Sequence, residues 1–79
     1  MSQGRIGIKF GKDQVITEVV NGGPGSNAGL RVGDKIISVD GSTPDVSKIR
    51  GIPGTTLILK VNRGGEVLQF TLIRERLNP

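Results

Sequence analysis

Apolar and polar residues alternate with a period of two in short stretches of the first half of the chain, which is the pattern of half-buried β-strands. Ile6, Ile8 and Phe10 alternate with a glycine and a lysine near the start. The stretch 14–20 is rich in β-branched residues, and the stretch 35–39 contains three apolar residues that favour strands. These stretches predict three short strands.

Two longer stretches in the second half, 55–63 and 67–74, show the same alternation. The sequence Arg-Gly-Gly-Glu that joins them is typical of a hairpin turn. The apolar residues that share one face are Leu57, Leu59 and Val61 in the first stretch and Leu68, Phe70 and Leu72 in the second. About five strands are therefore expected in all, joined by short turns.

The run 29–41 organises the middle of the chain. Gly29 can end a short helix over 26–29, because glycine readily adopts the left-handed conformation that closes helices. A Val-Gly-Asp turn then leads into the third strand, and the Asp-Gly pair that ends the run is a strong signal for a tight turn.

A second short helix is predicted after this turn. Thr43 can cap its first amides, and Pro44 suits the first helical position. Val46 and Ile49 are three residues apart and share one face, while Arg50 suits the negative end of the helix dipole. The predicted fold class is α+β and mainly β: a small, strongly bent antiparallel sheet or partly open barrel with two short helices.

Composition limits the chemistry that the chain can perform. Its 79 residues predict a single domain over 1–79, with a core over about 4–76 and fraying ends. The chain has neither cysteine nor histidine, and its carboxylates lack metal-ligand spacing. We therefore expect no enzymatic activity from this chain, no metal and no cofactor. No stretch is long and apolar enough to insert in a membrane, and no signal pattern opens the chain, although an excised piece of a larger protein would look the same.

A modest positive charge leaves one alternative function open. Eleven Lys and Arg oppose seven Asp and Glu, a formal net charge of +4. A basic barrel that binds nucleic acid is conceivable, but the positive charges are spread along the chain and only Phe10 and Phe70 are aromatic, which is poor for base stacking. We expect no nucleic-acid partner.

The run 29–41, with Ala-Gly-Leu before a Gly-Asp turn and a short strand, resembles the centre of a PDZ domain. The resemblance extends over about residues 4–76. It implies that the chain recognises C-terminal or extended peptide segments by strand addition. In a PDZ domain, a loop of the form x-Φ-Gly-Φ binds the peptide carboxylate through its backbone amides.

The resemblance places this loop at Arg5, Ile6, Gly7 and Ile8. The amides of Ile6, Gly7 and Ile8 are expected to bind the carboxylate, because glycine lets a backbone come close to a ligand. Arg5 is expected to attract the carboxylate. The ordinary alternatives are a solvated surface arginine at Arg5 and plain core packing at Ile6 and Ile8.

The resemblance also assigns the rest of the groove. Lys9 and Phe10 continue the binding strand, with Phe10 on the core side. Ile49 and Val46 are expected to line, with Ile6 and Ile8, the pocket for the last residue of the peptide. The ordinary alternative for both is core packing, because any short helix must bury one face.

More narrowly, the chain resembles the PDZ domain of bacterial carboxyl-terminal processing serine proteases. The matching pieces include the sequence 49–55 and the closing hairpin with its Arg-Gly-Gly turn. Similar modules occur in high-temperature-requirement proteases, site-2 membrane proteases and secretion-system components. The resemblance implies a substrate-recognition or regulatory domain, a protease domain in the same parent protein, and a periplasmic or extracytoplasmic location.

One departure from the family pattern keeps a second function open. Only residues 42–45 separate the tight turn from the second helix, where the family usually has a longer connection and a longer helix. The helical wall of the groove is therefore expected to be short. The alternative is a structural or docking domain that binds no free peptide.

Overall fold

The computed structural model describes residues 4–76, without the side chain of Val46. Two strands open the chain, two helices flank the third strand, and a long hairpin closes it, as the sequence predicts. The elements are β1 (Ile8–Phe10), β2 (Ile16–Val19), α1 (Pro24–Ala28), β3 (Lys35–Val39), α2 (Val46–Ile49), β4 (Thr56–Arg63) and β5 (Glu66–Ile73). Within these described residues, neither helix has the length and apolarity needed to cross a membrane.

The strands form two small antiparallel sheets, with orders β1-β2 and β3-β4-β5. The amide of Ile16 donates to the carbonyl of Asp34 over 2.8 Å, and the amide of Ile36 donates to the carbonyl of Gln14 over 2.9 Å. These two hydrogen bonds join the sheets without closing a complete barrel. The predicted mainly-β, partly open architecture of five strands and two short helices is confirmed.

One face of each sheet, together with Leu30 after α1 and Ile49 at the end of α2, encloses a small aliphatic core. Alternation in β4 buries every second residue, because successive side chains of a strand point to opposite faces. Half-buried apolar residues, among them Phe10 and Phe70, pack around this centre. The buried residues are Ile6, Ile16, Leu30, Ile36, Val39, Ile49, Leu57, Leu59, Val61 and Leu72.

The helix ends differ in part from the sequence prediction. Gly29 closes α1 with a φ of 102°, as predicted, but α1 begins at Pro24, two residues earlier than expected. The expected cap of α2 at Thr43 is wrong. The carboxylate of Asp45 accepts a hydrogen bond of 3.0 Å from the amide of Ser47, which is the geometry of a helix N-cap. This hydrogen bond also lowers the pKa of Asp45.

A partly buried ion pair links the loop after α1 to the end of β4. Asp34 is 2% exposed and receives both arms of the Arg63 guanidinium, with Nε to Oδ1 at 2.9 Å and Nη2 to Oδ2 at 2.7 Å. The amide of Arg31 donates to the same carboxylate over 3.0 Å, and Arg63 also donates to the carbonyl of Gly29 over 2.9 Å. Hydrogen bonding from Arg63 is the main reason that the pKa of Asp34 lies below its usual value.

We expect Asp34→Asn to lower the free energy of unfolding at pH 7 by about 1.5–3 kcal/mol, because it removes the charge of a buried carboxylate that accepts hydrogen bonds from Arg63 and from the amide of Arg31. A depressed carboxyl pKa contributes stability that is complete above the ordinary value of 3.8 and is lost as the pH falls through the folded-state value. The difference between wild type and variant should therefore shrink below about pH 3.8. Urea unfolding of both proteins at several pH values measures this difference in the free energy of unfolding.

The exposed Asp13 provides the control. Asp13→Asn should change the free energy of unfolding by less than about 0.5 kcal/mol. A difference between Asp34→Asn and wild type that stays constant from pH 7 to pH 3 would contradict the role given to this ion pair.

Candidate functional site

The segment before β1 is held in place by two pairs of backbone hydrogen bonds. Arg5 and Glu75 exchange amide–carbonyl bonds of 2.8 and 2.9 Å. Gly4 and Gly51 do the same, over 2.6 and 3.1 Å. The first pair ties this segment to the residues that follow β5, and the second ties it to the residues that follow α2.

The loop at Ile6 and Gly7 turns its carbonyl groups toward the protein. The carbonyl of Ile6 accepts from the amide of Gly25, and the carbonyl of Gly7 accepts from the amide of Val20, both over 2.8 Å. The φ of Gly7 is +75°, a left-handed conformation in which successive amides can converge on one point. A left-handed residue of this kind is one component of an anion-binding nest.

The amides of this loop are left without protein partners. Within residues 4–76, the N–H groups of Ile6 and Gly7 donate no hydrogen bond to a protein oxygen, although both residues are buried. Buried amides in folded proteins are almost always paired. An external acceptor placed at this loop would satisfy them.

The free edge of β1 continues from this loop. In the β1–β2 register Ile8 lies opposite Val19. The amide of Val20 donates to the carbonyl of Gly7 directly beside this pair, so Ile8 and Val19 form a non-hydrogen-bonded pair. The N–H and C=O of Ile8 therefore point away from β2. In the described part of the chain no strand pairs with β1 on that side. An extended segment could add there.

A concave pocket of about 340 Å³ lies beside this edge, lined by Ile8, Lys9, Phe10 and Arg50. Ile8 and Phe10 are half-buried against the core, whereas Lys9 and Arg50 are exposed. Because Arg50 directly follows α2, the pocket lies between β1 and the end of this helix. It offers apolar surface at its strand side and positive charge at its rim.

The end of α2 is held by a buried arginine from the other half of the chain. Arg74 is 9% exposed, and it donates from Nε to the carbonyl of Ile49 over 2.9 Å and from Nη2 to the carbonyl of Lys48 over 2.8 Å. Its Nη1 donates to Thr55 Oγ1 over 2.9 Å and to the carbonyl of Thr56 over 3.1 Å. Carbonyls at a helix C-terminus lack helical partners and attract cations, so this four-residue helix gains an external cap.

The structure brings together four of the eight residues that the sequence predicts for the site. Ile8, Lys9 and Phe10 line the pocket, and Gly7 lies in the loop with unpaired amides. The side chains of Ile6 and Ile49 belong to the buried core, Arg5 is exposed, and the side chain of Val46 lies outside the described residues. What each contributes to binding stays a prediction.

The sequence does not predict the place of two arginines beside the groove. Arg50 was assigned to the helix dipole alone, yet it lines the pocket. Arg74 was assigned only to the end of a strand, yet its guanidinium caps a helix about 25 residues earlier in the chain. Nothing in the local sequence marks either role, except that Arg50 follows the predicted helix directly.

The fold and this groove define the class of protein. The family model described as PDZ domain matches residues 15–63, and the chain belongs to this family. The regulator of sigma-E protease RseP of Escherichia coli is 37% identical over 68 residues, which are 80% of this chain and 15% of that protein. Protease RseP of Yersinia pestis is 36% identical over 66 residues, which are 77% of this chain and 15% of that protein.

Solved structures give the same fold. A serine endoprotease from Yersinia pestis superposes with a TM-score of 0.81 at 28% identity, covering 98% of this chain and 30% of that one. The HtrA-type protease AlgW, solved with a decapeptide, superposes with a TM-score of 0.80 at 21% identity, over 99% of this chain and 30% of that one. The chain thus spans less than a third of each of these four proteins.

We expect Arg74→Met to lower the free energy of unfolding by about 2–4 kcal/mol, because it leaves the buried carbonyl of Ile49 and the partly buried carbonyls of Lys48 and Thr56 without this donor. That loss is a large part of the total free energy of unfolding, which is roughly 4–12 kcal/mol for a domain of this size. Amide hydrogen exchange should also accelerate most at the end of α2. Urea unfolding and exchange measured by NMR check both effects.

The exposed Arg76 offers a matched control two residues away. Arg76→Met removes the same charge and should change stability by less than about 0.5 kcal/mol. Equal losses in the two variants would show that the hydrogen bonds of Arg74 are not what holds this helix.

Proposed function

We propose that this PDZ domain binds the C-terminal end of a peptide or protein, which adds as an extra strand to the free edge of β1. The unpaired, buried amides of Ile6 and Gly7 at the start of this edge are the observation that carries the proposal. A carboxylate needs several converging N–H donors and no nearby acceptor. The carbonyls of this loop are already engaged by Gly25 and Val20, so only the donors are left for a ligand.

The side chains of the groove receive distinct roles. The half-buried faces of Ile8 and Phe10 contact an apolar terminal residue, and the buried Ile6 and Ile49 support that contact from the core. Lys9 continues the strand to which the peptide pairs, and the exposed Arg5 attracts the carboxylate. Val46 is proposed to complete the helical side of the pocket.

The relatives suggest the setting in which this groove works. The similar proteins named above are proteases several times longer than this chain. We propose that the domain is a substrate-recognition or regulatory module of a larger bacterial protease and that it is located outside the cytoplasm. None of the relatives named above is a carboxyl-terminal processing protease, so membership of that narrower group also stays a proposal.

One observation favours a second candidate function. The helix that would flank the peptide has only four residues, so upstream peptide residues have little helical wall to contact. A domain with so short a wall could instead serve as a docking surface for another part of a larger protein. The two functions differ in whether a free peptide carboxylate is required.

We expect short peptides with apolar C-terminal residues to shift the NMR signals of residues 6–10 and to bind at least about tenfold more tightly than their C-terminally amidated forms. The carboxylate is the group that the loop amides receive, and hydrogen bonds to a charged group are worth about 1.5–3 kcal/mol. Titration of the ¹⁵N-labelled domain measures both the site and the affinity. Absence of shifts with a diverse peptide set would reject peptide binding and favour docking.

We expect Gly7→Ala to weaken the binding of these peptides by about tenfold, because an alanine resists the left-handed φ that aims the amides. The backbone strain alone should lower stability by about 1–2 kcal/mol. Gly41 has a φ of +79° in an open turn, so Gly41→Ala is a control for the same strain. Equal peptide affinities of the two variants would remove the loop from the binding site.

A further inference from the structure

The turn between β2 and α1 contains a chemically labile pair of residues, Asn21 and Gly22. In an asparagine, the backbone nitrogen of the following residue can attack the side-chain Cγ, which is one reason that asparagine is thermolabile. A following glycine hinders this attack least, because it has no Cβ. The new N–C bond closes a succinimide ring and expels ammonia. Water then opens the ring to aspartate or to isoaspartate.

Both reacting groups of this pair are accessible. Asn21 and Gly22 are exposed, and a Cβ built at Gly22 would meet nothing within 4 Å. Among residues 4–76, the amide of Gly22 has no hydrogen-bond acceptor and the side chain of Asn21 has no hydrogen-bond partner. The amide of Gly23 closes the turn by donating to the carbonyl of Val20 over 3.1 Å. Hydrogen bonds of exposed turns open at a small free-energy cost, so the side chain can reach the attacking nitrogen.

The chemically similar pair Asp40 and Gly41 is protected by the fold. An aspartate can close the same ring with loss of water. Asp40 Oδ1, however, accepts a hydrogen bond of 2.7 Å from the amide of Ile58 on β4. The carboxylate must leave this bond before the nitrogen of Gly41 can reach it. Asn21 is therefore the more reactive of the two positions.

The other asparagines among residues 4–76 are held by their side chains. Asn27 donates from Nδ2 to the carbonyl of Gly22 over 3.3 Å, and Asn62 Oδ1 accepts from the amide of Gly65 over 2.8 Å. An alanine follows the first and an arginine follows the second, so each attacking nitrogen also carries a larger neighbour. Sequence and structure thus single out Asn21.

The turn at Asn21 supports the loop that precedes β1. The amide of Val20 donates to the carbonyl of Gly7 over 2.8 Å. The backbone of Gly23 lies against the same loop, because a Cβ built there would be 3.6 Å from the Cα of Gly7 and 3.7 Å from the carbonyl oxygen of Ile6. Isoaspartate adds one carbon to the main chain between these two supports, so it changes the path of the turn.

We propose that Asn21 is a site of spontaneous deamidation and that its conversion to isoaspartate loosens the loop at Ile6 and Gly7. The chemical step stands on the turn alone. Its effect on ligand binding rests on the proposed function, since the same loop is there proposed to receive the peptide carboxylate. The modification is a slow, one-way change that lowers peptide affinity as the protein ages.

The first test follows the chemistry. The protein is incubated in mildly alkaline buffer, digested and mapped by mass spectrometry, with isoaspartate quantified by an isoaspartyl methyltransferase. Asn21 should lose its amide at least about tenfold faster than Asn27 and Asn62, a difference of about 1.4 kcal/mol in activation free energy. Equal rates at the three asparagines would overturn the proposal.

A matched pair of variants checks the role of the following glycine. Gly22 and Gly41 both have left-handed φ values, +82° and +79°, and both have open space where a Cβ would lie. Gly22→Ala should slow the loss of the Asn21 amide at least about tenfold. Gly41→Ala introduces the same strain and should leave that rate unchanged. Equal slowing in both variants would reject attack by the nitrogen of residue 22.

The second test measures the loosening without a ligand. The isoaspartate form is separated by charge from unmodified protein, and amide hydrogen exchange is measured by NMR at Val20 and Gly25, whose amides hold the loop carbonyls. Both amides should exchange at least about tenfold faster in the isoaspartate form. Asn21→Asp carries the charge on a normal backbone and should keep the slower exchange. Unchanged exchange in the isoaspartate form would reject the loosening.

Peptide titration of the same samples separates the inference from the function on which it rests. Weaker binding of free-acid peptides by the isoaspartate form, with Asn21→Asp close to wild type, supports the link between turn and loop. Equal affinities of the isoaspartate and unmodified forms would overturn that link. If unmodified protein binds none of the peptides, the proposed function fails, whereas the deamidation and the exchange results still decide the chemical step and the loosening.

Discussion

The position of the helical side of the groove depends on one buried side chain, the guanidinium of Arg74. A four-residue helix has too few internal hydrogen bonds to persist by itself. Arg74 supplies donors to the carbonyls of Lys48 and Ile49 and extends to Thr55, so the end of β5, the start of β4 and α2 share one charged group. The buried charge is stabilised by carbonyl dipoles at the helix end. The buried side chain of Ile49 and the reciprocal bonds of Gly4 with Gly51 act beside it at the end of α2.

Arg63 has a comparable role on the opposite part of the fold, where it joins Asp34 and Gly29. In both cases an arginine at the end of a strand binds groups 25 or more residues away in sequence. A domain of this size buries a limited apolar surface, and this chain has no cysteine to form a disulfide. The buried Arg74 and the partly exposed Arg63 thus supply specific long-range connections that the small aliphatic core cannot supply.

The sequence predicts the parts of the fold that depend on local rules. Alternation and glycine turns locate the strands, because a period of two decides which face is buried, and Gly29 closes α1 for the same local reason. The cap of α2 was misassigned because Thr43 and Asp45 are both acceptable caps, and only the path of the chain chooses between them. The pocket position of Arg50 and the partners of Arg74 depend on packing between distant segments, which no local pattern encodes.

The reciprocal bonds of Gly4 with Gly51 and of Arg5 with Glu75 have a mechanical consequence. Arg74 and Glu75 are adjacent in the chain. The side chain of Arg74 binds the end of α2, and the backbone of Glu75 binds Arg5, directly before the loop at Ile6 and Gly7. A pull on the backbone beyond β5 would therefore slacken both sides of the groove at once. By thermodynamic linkage, a ligand that tightens the groove would oppose the release of this strand extension by the same free energy.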